Sequence, residues 1–242
     1  MSIRTTAAAL TASLCLLAAC GDDDEDDVGS EPTTSSIPVE ETTTTTELST
    51  TTAPAVDDQP ALWPAPGEVI ADPIEVARSF YVDFLGQPEP SLGEFQEGDP
   101  TSGEVPVFGR TEGGEPGPLR STLLLRRRGA GWAVVRVASE AIVLEQAQVP
   151  TEALPGPITV SGRGRGFEGT LLVRAVVAGE AGGEPLDQQF VTAGALEELE
   201  PFAATVDVGA AASGSVVAIL VFNESAIDGS IGDLAAIPVL IG

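Results

Sequence analysis

The chemistry open to this chain is narrowed first by what it lacks. It contains no histidine, and every one of its eleven basic residues is arginine, so there is no lysine either. The usual general base, the usual zinc ligand, Schiff-base chemistry and a P-loop lysine are thereby removed from consideration. What remains is a pair of cysteines, Cys15 and Cys20, a large excess of carboxylates, and hydroxyls. Three groupings of residues could act. Glu94, Glu97, Asp99 and Glu104 cluster in a Gly/Pro-rich stretch, where paired acids could serve glycan hydrolysis. Nothing in their spacing orders them as an acid and a base, so no catalytic residue is assigned. Glu224, Ser225, Asp228 and Ser230 surround an Asp-Gly turn near the C-terminus and form a candidate binding-loop rim. The same residues equally suit a loop that bonds its own backbone amides. Two carboxylates without further fixed oxygens are weak calcium ligands, so neither a metal nor any other cofactor is expected. Arg126-Arg127-Arg128 makes a third grouping, a hairpin tip open to solvent or to an acidic polymer.

Cys20 stands in a different context. Met1-Ser2-Ile3-Arg4 carries one positive charge, and Ala7–Ala19 is apolar or small, too short to span a bilayer core of about 30 Å. Leu17-Ala18-Ala19-Cys20, followed by Gly21 and Asp22–Asp27, resembles the lipobox of bacterial lipoproteins. The resemblance implies a removable signal segment over 1–20 and lipidation of Cys20, with palmitate among the acyl groups. It also implies a chain held on the extracytoplasmic face of the cell membrane. Two or more acyl chains give stable anchoring where one gives only marginal binding. Cys15 leaves with the segment, so the mature chain has one thiol and cannot form an internal disulfide. Its folded part must hold by its core alone.

The formal charge of −26 is uneven: residues 21–62 carry twelve acids and no base. This segment, with the tract Thr42–Thr46 and aliphatics scattered singly, has too little apolar surface to offset its ordering entropy. It reads as a disordered acidic, Thr-rich linker. So acidic a chain offers no groove for phosphates, which argues against nucleic acid as a partner.

Past Trp63 the pattern becomes mainly β. Asp72-Pro73-Ile74-Glu75 marks a helix start, with Ile74, Ala77, Phe80, Tyr81 and Phe84 along one face. Pro106 demotes Glu104–Phe108 to an edge strand. Leu119–Arg128 and Trp132–Ala138 form a hairpin across Gly129-Ala130-Gly131, with Trp132, Val134 and Arg136 alternating against Ala133, Val135 and Val137. With a further strand at Ala141–Glu145, residues 68–150 read as a small α+β domain. From Pro157, short strands recur at 158–162, 168–177, 186–192, 202–208, 216–222 and 234–241. Val216–Phe222 is apolar throughout, as a strand buried on both faces is. Residues 155–242 therefore read as a C-terminal antiparallel immunoglobulin-like β-sandwich.

Within that region, Ile158-Thr159-Val160-Ser161-Gly162, then Phe167-Glu168, then Glu200-Pro201-Phe202, and finally Glu224-Ser225-Ala226-Ile227-Asp228-Gly229-Ser230, resemble the bacterial spore-germination immunoglobulin-like domain. The resemblance implies an envelope module, often carried by lipoproteins and found in organisms that never sporulate. The GerMN-type domain that commonly accompanies it is not evident in 68–150. Taken together, these features point to a non-enzymatic, membrane-anchored lipoprotein whose small domains bind another cell-envelope component, a protein or a glycan. A carboxylate-dependent glycan-processing enzyme and a purely structural assembly subunit are the alternatives.

Overall fold

In the computed structural model, the described residues are 59–111, 113–145, 151–195, 197–225 and 229–242. The expected signal segment 1–20, Cys20 and all but the last residues of the expected linker 21–62 lie outside them.

The sole α-helix among these residues, α1 (Pro73–Ser79), begins where local chemistry places it. Asp72 Oδ1 accepts from the backbone N–H of Ile74 at 2.8 Å and of Glu75 at 3.0 Å. Pro73, which has no N–H to lose, occupies the first turn. Glu75 pairs with Arg78 rather than reaching back to the cap. The helix widens into one π-type turn over Phe80–Phe84 and stops at Gly86, whose φ is +67°.

The strands are β1 (Ser91–Leu92), β2 (Gln96–Asp99), β3 (Ser102–Arg110), β4 (Pro116–Arg128), β5 (Gly131–Ala138), β6 (Ile142–Leu144), β7 (Glu152–Ala153), β8 (Pro157–Gly166), β9 (Thr170–Val177), β10 (Asp187–Thr192), β11 (Gly194–Ala195), β12 (Glu200–Asp207), β13 (Val216–Glu224) and β14 (Ile231–Ile241). One large sheet runs β1-β3-β4-β5-β14-β13-β9-β10, with β2 alongside β3 and β7 alongside β14. A smaller sheet is built on β8, flanked by β12 and β6, with β11 joining it. Nearly all pairings are antiparallel; the short β7–β14 and β8–β11 pairs are parallel.

Three layers result. Between the sheets lies the sandwich core, with Leu171 and Val173 of β9, Ile219 and Val221 of β13, Val160 of β8, and Phe202 and Val206 of β12. The opposite face of the large sheet packs on α1 and its π turn. There Leu172, Leu220, Phe222 and Leu234 meet Phe80, Tyr81, Phe84 and Trp63, and the same core continues to Leu123, Leu125 and Trp132 of the β4–β5 hairpin. Strand β13 is thus apolar on both faces because both faces are covered.

Three expectations from the sequence are corrected by this topology. Residues 68–150 and 155–242, expected as separate units, share one sheet and one helix-side core. The strand at 142–144 pairs with β8 and so joins the sandwich, not the α+β half. Strand β3 is not an edge: it pairs with β4 on one side and with β1 and β2 on the other. Pro106 is tolerated because β1 meets β3 at Val107 and Phe108 while β2 meets it at Ser102–Glu104. The missing N–H falls between the two partners, and the Pro106 carbonyl accepts from Gly93 N–H at 2.8 Å.

Candidate functional site

The β4–β5 hairpin carries the feature that builds a site. Leu124 of β4 pairs with Arg136, and the next residue, Leu125, pairs with Val134. Val135 therefore has no partner of its own and forms a β-bulge. The bulge reverses the expected alternation. Trp132, Val134 and Val137 face the helix-side core, while Ala133 and Val135 cluster with Ala61 and Leu124 on the outer face. Arg136, expected beside Trp132 and Val134, is turned outward with Leu124 instead.

This outer face forms one side of a groove of about 910 Å³. Leu124, Val135, Ile237, Pro238 and Leu240 give it an apolar stripe; Arg126 and Arg136 supply positive charge, and Glu97, Glu104 and Glu152 supply negative charge. The groove owes its existence to a parting of strands. β5 and β14 are paired at a single position, Val137 with Ala236. Two residues further along β14 stands Pro238, which has no N–H to donate. Beyond it β14 turns to β7, pairing Leu240 with Glu152, while β5 takes a bridge from Trp63 to Val134.

The charged residues of the groove differ in how they are held. Arg126 Nη1 lies 3.7 Å from Asp99 Oδ2. Asp99 accepts from the Ser102 hydroxyl at 2.5 Å and from the Thr101 hydroxyl and N–H, each at 2.7 Å. The Ser102 and Thr101 hydrogen bonds, helped by Arg126, hold its carboxyl down at about 2. Arg136 is different: its Nε is shielded from solvent and has no hydrogen-bond partner among the described residues. The arginine run at the hairpin tip is similarly divided, since Arg126 serves Asp99 and Arg127 lies over the Trp132 ring at 5.6 Å.

The rim residues proposed from sequence do not line this groove. Glu224 is the exposed last residue of β13 and pairs across an irregularity with Ile231. Ser225 N–H donates to the Ser230 carbonyl at 2.8 Å, and Gly229 N–H donates to the Ser225 carbonyl at 2.9 Å. Gly229 has φ +70°. Glu224 therefore ends β13, and Ser225 and Ser230 bond each other across the connection from β13 to β14. Asp228 lies outside the described residues. Among the described residues, no three His, Cys, Asp or Glu side chains converge as metal ligands. Of the four clustered acids, Glu97 and Glu104 reach the groove, Asp99 caps the β2–β3 turn, and Glu94 is not among the lining residues.

The bulge at Val135 leaves no signal in the residue types, because Ala133, Val135 and Val137 all suit either face. Pro238 is visible within the last strand, and a strand proline is a recognised sign that pairing ends on that side.

The architecture defines a class: an antiparallel immunoglobulin-like sandwich whose larger sheet is extended by an α+β hairpin unit, with a groove where the two meet. Residues 146–230 match the family described as the immunoglobulin-like domain of bacterial spore germination. No curated protein and no solved structure matches the chain.

The family residues take on structural meaning in this frame. Gly162, Gly164 and Gly166 alternate along the inner face of β8. A Cβ on Gly162 would stand 2.3 Å from the Val143 carbonyl, and one on Gly164 would stand 2.7 Å from Leu171. The ring of Phe202 lies against both Gly162 and Gly164. Arg163 and Arg165 point away and donate to the carbonyls of Leu199 and Glu197 at 2.8 and 3.1 Å. The Ser-Gly opening of the motif is thus a close-packing requirement of the sandwich.

Proposed function

We propose that this chain is a membrane-anchored extracytoplasmic lipoprotein, tethered through lipid on Cys20, that binds another cell-envelope component without catalysing a reaction. The groove between the β4–β5 hairpin and β14 carries this reading: an apolar stripe bounded by charge is how surfaces that hold a partner are commonly built. The sequence Leu17-Ala18-Ala19-Cys20 and the match of residues 146–230 to an immunoglobulin-like domain support the setting. The partner is a protein or a glycan; a formal charge of −26 argues against nucleic acid.

The test is a photo-crosslinking residue placed at Leu124 of the full-length chain in intact cells, followed by mass spectrometry. An envelope component crosslinked from Leu124, and not from a control position such as Thr159, exposed on β8, is the expected result. Equal patterns from both positions would sink the reading. The anchor is tested separately: Cys20→Ser is expected to move the chain out of the membrane fraction.

One observation favours a second reading. Glu97 and Glu104 both line the groove, which is where a carboxylate-dependent glycan hydrolase would keep its acids. Turnover of envelope glycan that disappears in both Glu97→Gln and Glu104→Gln would select it.

A further inference from the structure

The groove's contents narrow its occupant, and the inference rests on the binding function proposed above. We infer that the groove takes an extended peptide and that Arg136 receives a carboxylate from it.

Four observations converge. First, the bulge at Val135 diverts Arg136 from the face it would otherwise share with Trp132 and Val134, and bulges beside sites serve to re-aim a side chain. Second, the Arg136 Nε is hidden from water with no acceptor among the described residues. The protein therefore leaves this guanidinium uncompensated on its own side. On the groove side, where Arg136 is a lining residue, a carboxylate is the acceptor whose two oxygens match the guanidinium fork. The chain carries 37 acids against eleven arginines, yet no carboxylate of the described residues forms an ion pair with this one. Third, the apolar stripe follows strands that part beyond a single paired position, giving a trough suited to an extended chain. Fourth, no Phe, Tyr or Trp of the described residues lines the groove, so they offer no ring to stack on a sugar face.

The three glutamates at the groove refine the choice. Glu97, Glu104 and Glu152 would repel a polyanion. The fitting ligand has one carboxylate set between aliphatic side chains, with cationic residues outside them to meet the glutamates.

The probe is a dye-labelled, end-capped peptide Lys-Val-Glu-Val-Lys, compared with the same peptide bearing Gln for Glu. Fluorescence anisotropy is read against the full-length protein in detergent micelles. The Glu peptide is expected to bind at least about tenfold tighter than the Gln peptide, the scale of one charge-assisted pair. Arg136→Gln should erase that ratio and Arg136→Lys restore part of it, with thermal unfolding of both variants confirming that they fold. An unchanged ratio in Arg136→Gln overturns the inference. So does failure of the Glu peptide to bind, or preferential binding of a neutral N-acetylglucosamine oligosaccharide. Occupation of the groove by a second copy, seen as self-association lost in Arg136→Gln, overturns it too, as does a crosslink from Leu124 to residues 21–58. If the Leu124 crosslink to an envelope component persists in Arg136→Gln cells, the binding function stands and this inference alone falls.

Discussion

Asp233 Oδ2 lies 3.4 Å from Arg120 Nη1, joining the last strand of the sandwich to the long strand of the hairpin unit, although β4 and β14 are not neighbours in the sheet. Asp233 is buried and also accepts from Asn223 Nδ2 at 2.9 Å, while its own N–H donates to Asn223 Oδ1 at 2.8 Å. One residue along, Ser121 Oγ both donates to the Leu234 carbonyl at 3.0 Å and accepts from the Leu234 N–H at 2.9 Å. The Tyr81 phenol is buried beside this cluster, and burial pushes its pKa up from the ordinary tyrosine range. These side-chain bonds do at β4 and β14 what ladder hydrogen bonds do elsewhere in the sheet.

Asp233→Ala should therefore destabilise the fold by about 2 kcal/mol, because it leaves the Asn223 amide and Arg120 without an acceptor. Arg120 is 41% exposed, so Arg120→Ala should lose well under half of that. Urea unfolding of the two variants at neutral pH checks the order.

The shared helix-side core makes a second prediction. Phe222 of β13 is 1% exposed, lies under the Arg174 guanidinium at 5.1 Å, and belongs to the core that also holds Trp63 and Trp132. Phe222→Ala should remove about 3 to 4 kcal/mol. Both tryptophans precede the family-matched region, so their fluorescence should report the loss as one transition at lower urea. A tryptophan transition that stays at the wild-type midpoint would mean that the two halves unfold independently.

Much of the fold is legible in residue types. The Asp72 cap, the 119–138 hairpin, and the strands of the second half fall within a few residues of where periodicity places them. These features are local, and each is written within one turn or one strand. The missed features depend on partners far along the chain. Whether residues 142–144 side with the hairpin or with β8 is decided by Gly162 and Gly164, about twenty residues later, which let β6 approach. Acids at 97 and 99 look like loop residues because Gly98 and Pro100 interrupt the pattern around them, yet β3 recruits Gln96–Asp99 as a strand. The groove is least legible. It arises from one bulge and one stretch of β14 that parts from β5, and neither alters the pattern of apolar and polar residues that a sequence displays.

Gly162 offers a test of the close-packing account of the family motif. Gly162→Ala places a methyl 2.3 Å from the Val143 carbonyl, a backbone atom that cannot swing aside, and about 3.1 Å from the Phe202 ring. The β6–β8 pairing must then open or β8 must shift. A loss of about 2 kcal/mol or more is expected in thermal or urea unfolding. The next position along β8 points outward and already carries a large side chain, so Arg163→Ala should change stability by no more than about 1 kcal/mol. Equal effects at 162 and 163 would remove the packing explanation.

Asp99 gives the pH dependence. Its carboxyl is held at about 2 against an ordinary value of 3.8, first by the Ser102 hydroxyl and then by Thr101, with Arg126 contributing. The folded value lies below the unfolded one, so the carboxylate stabilises the β2–β3 turn fully above about pH 4. That contribution is lost as pH falls through about 2. Protonation weakens the acceptor for Thr101 N–H by removing its charge, and the turn also positions Arg126, which borders the groove. The Thr101 amide resonance should therefore titrate with a midpoint near 2 and show no step near 4. Asp99→Asn should shift that resonance at neutral pH toward its acid position and abolish the titration. A midpoint at the ordinary carboxylate value would show that the hydroxyl and amide bonds to Asp99 do not persist in solution. Arg126 would then be free to meet a ligand in the groove, and the single-carboxylate preference assigned to Arg136 would broaden to two.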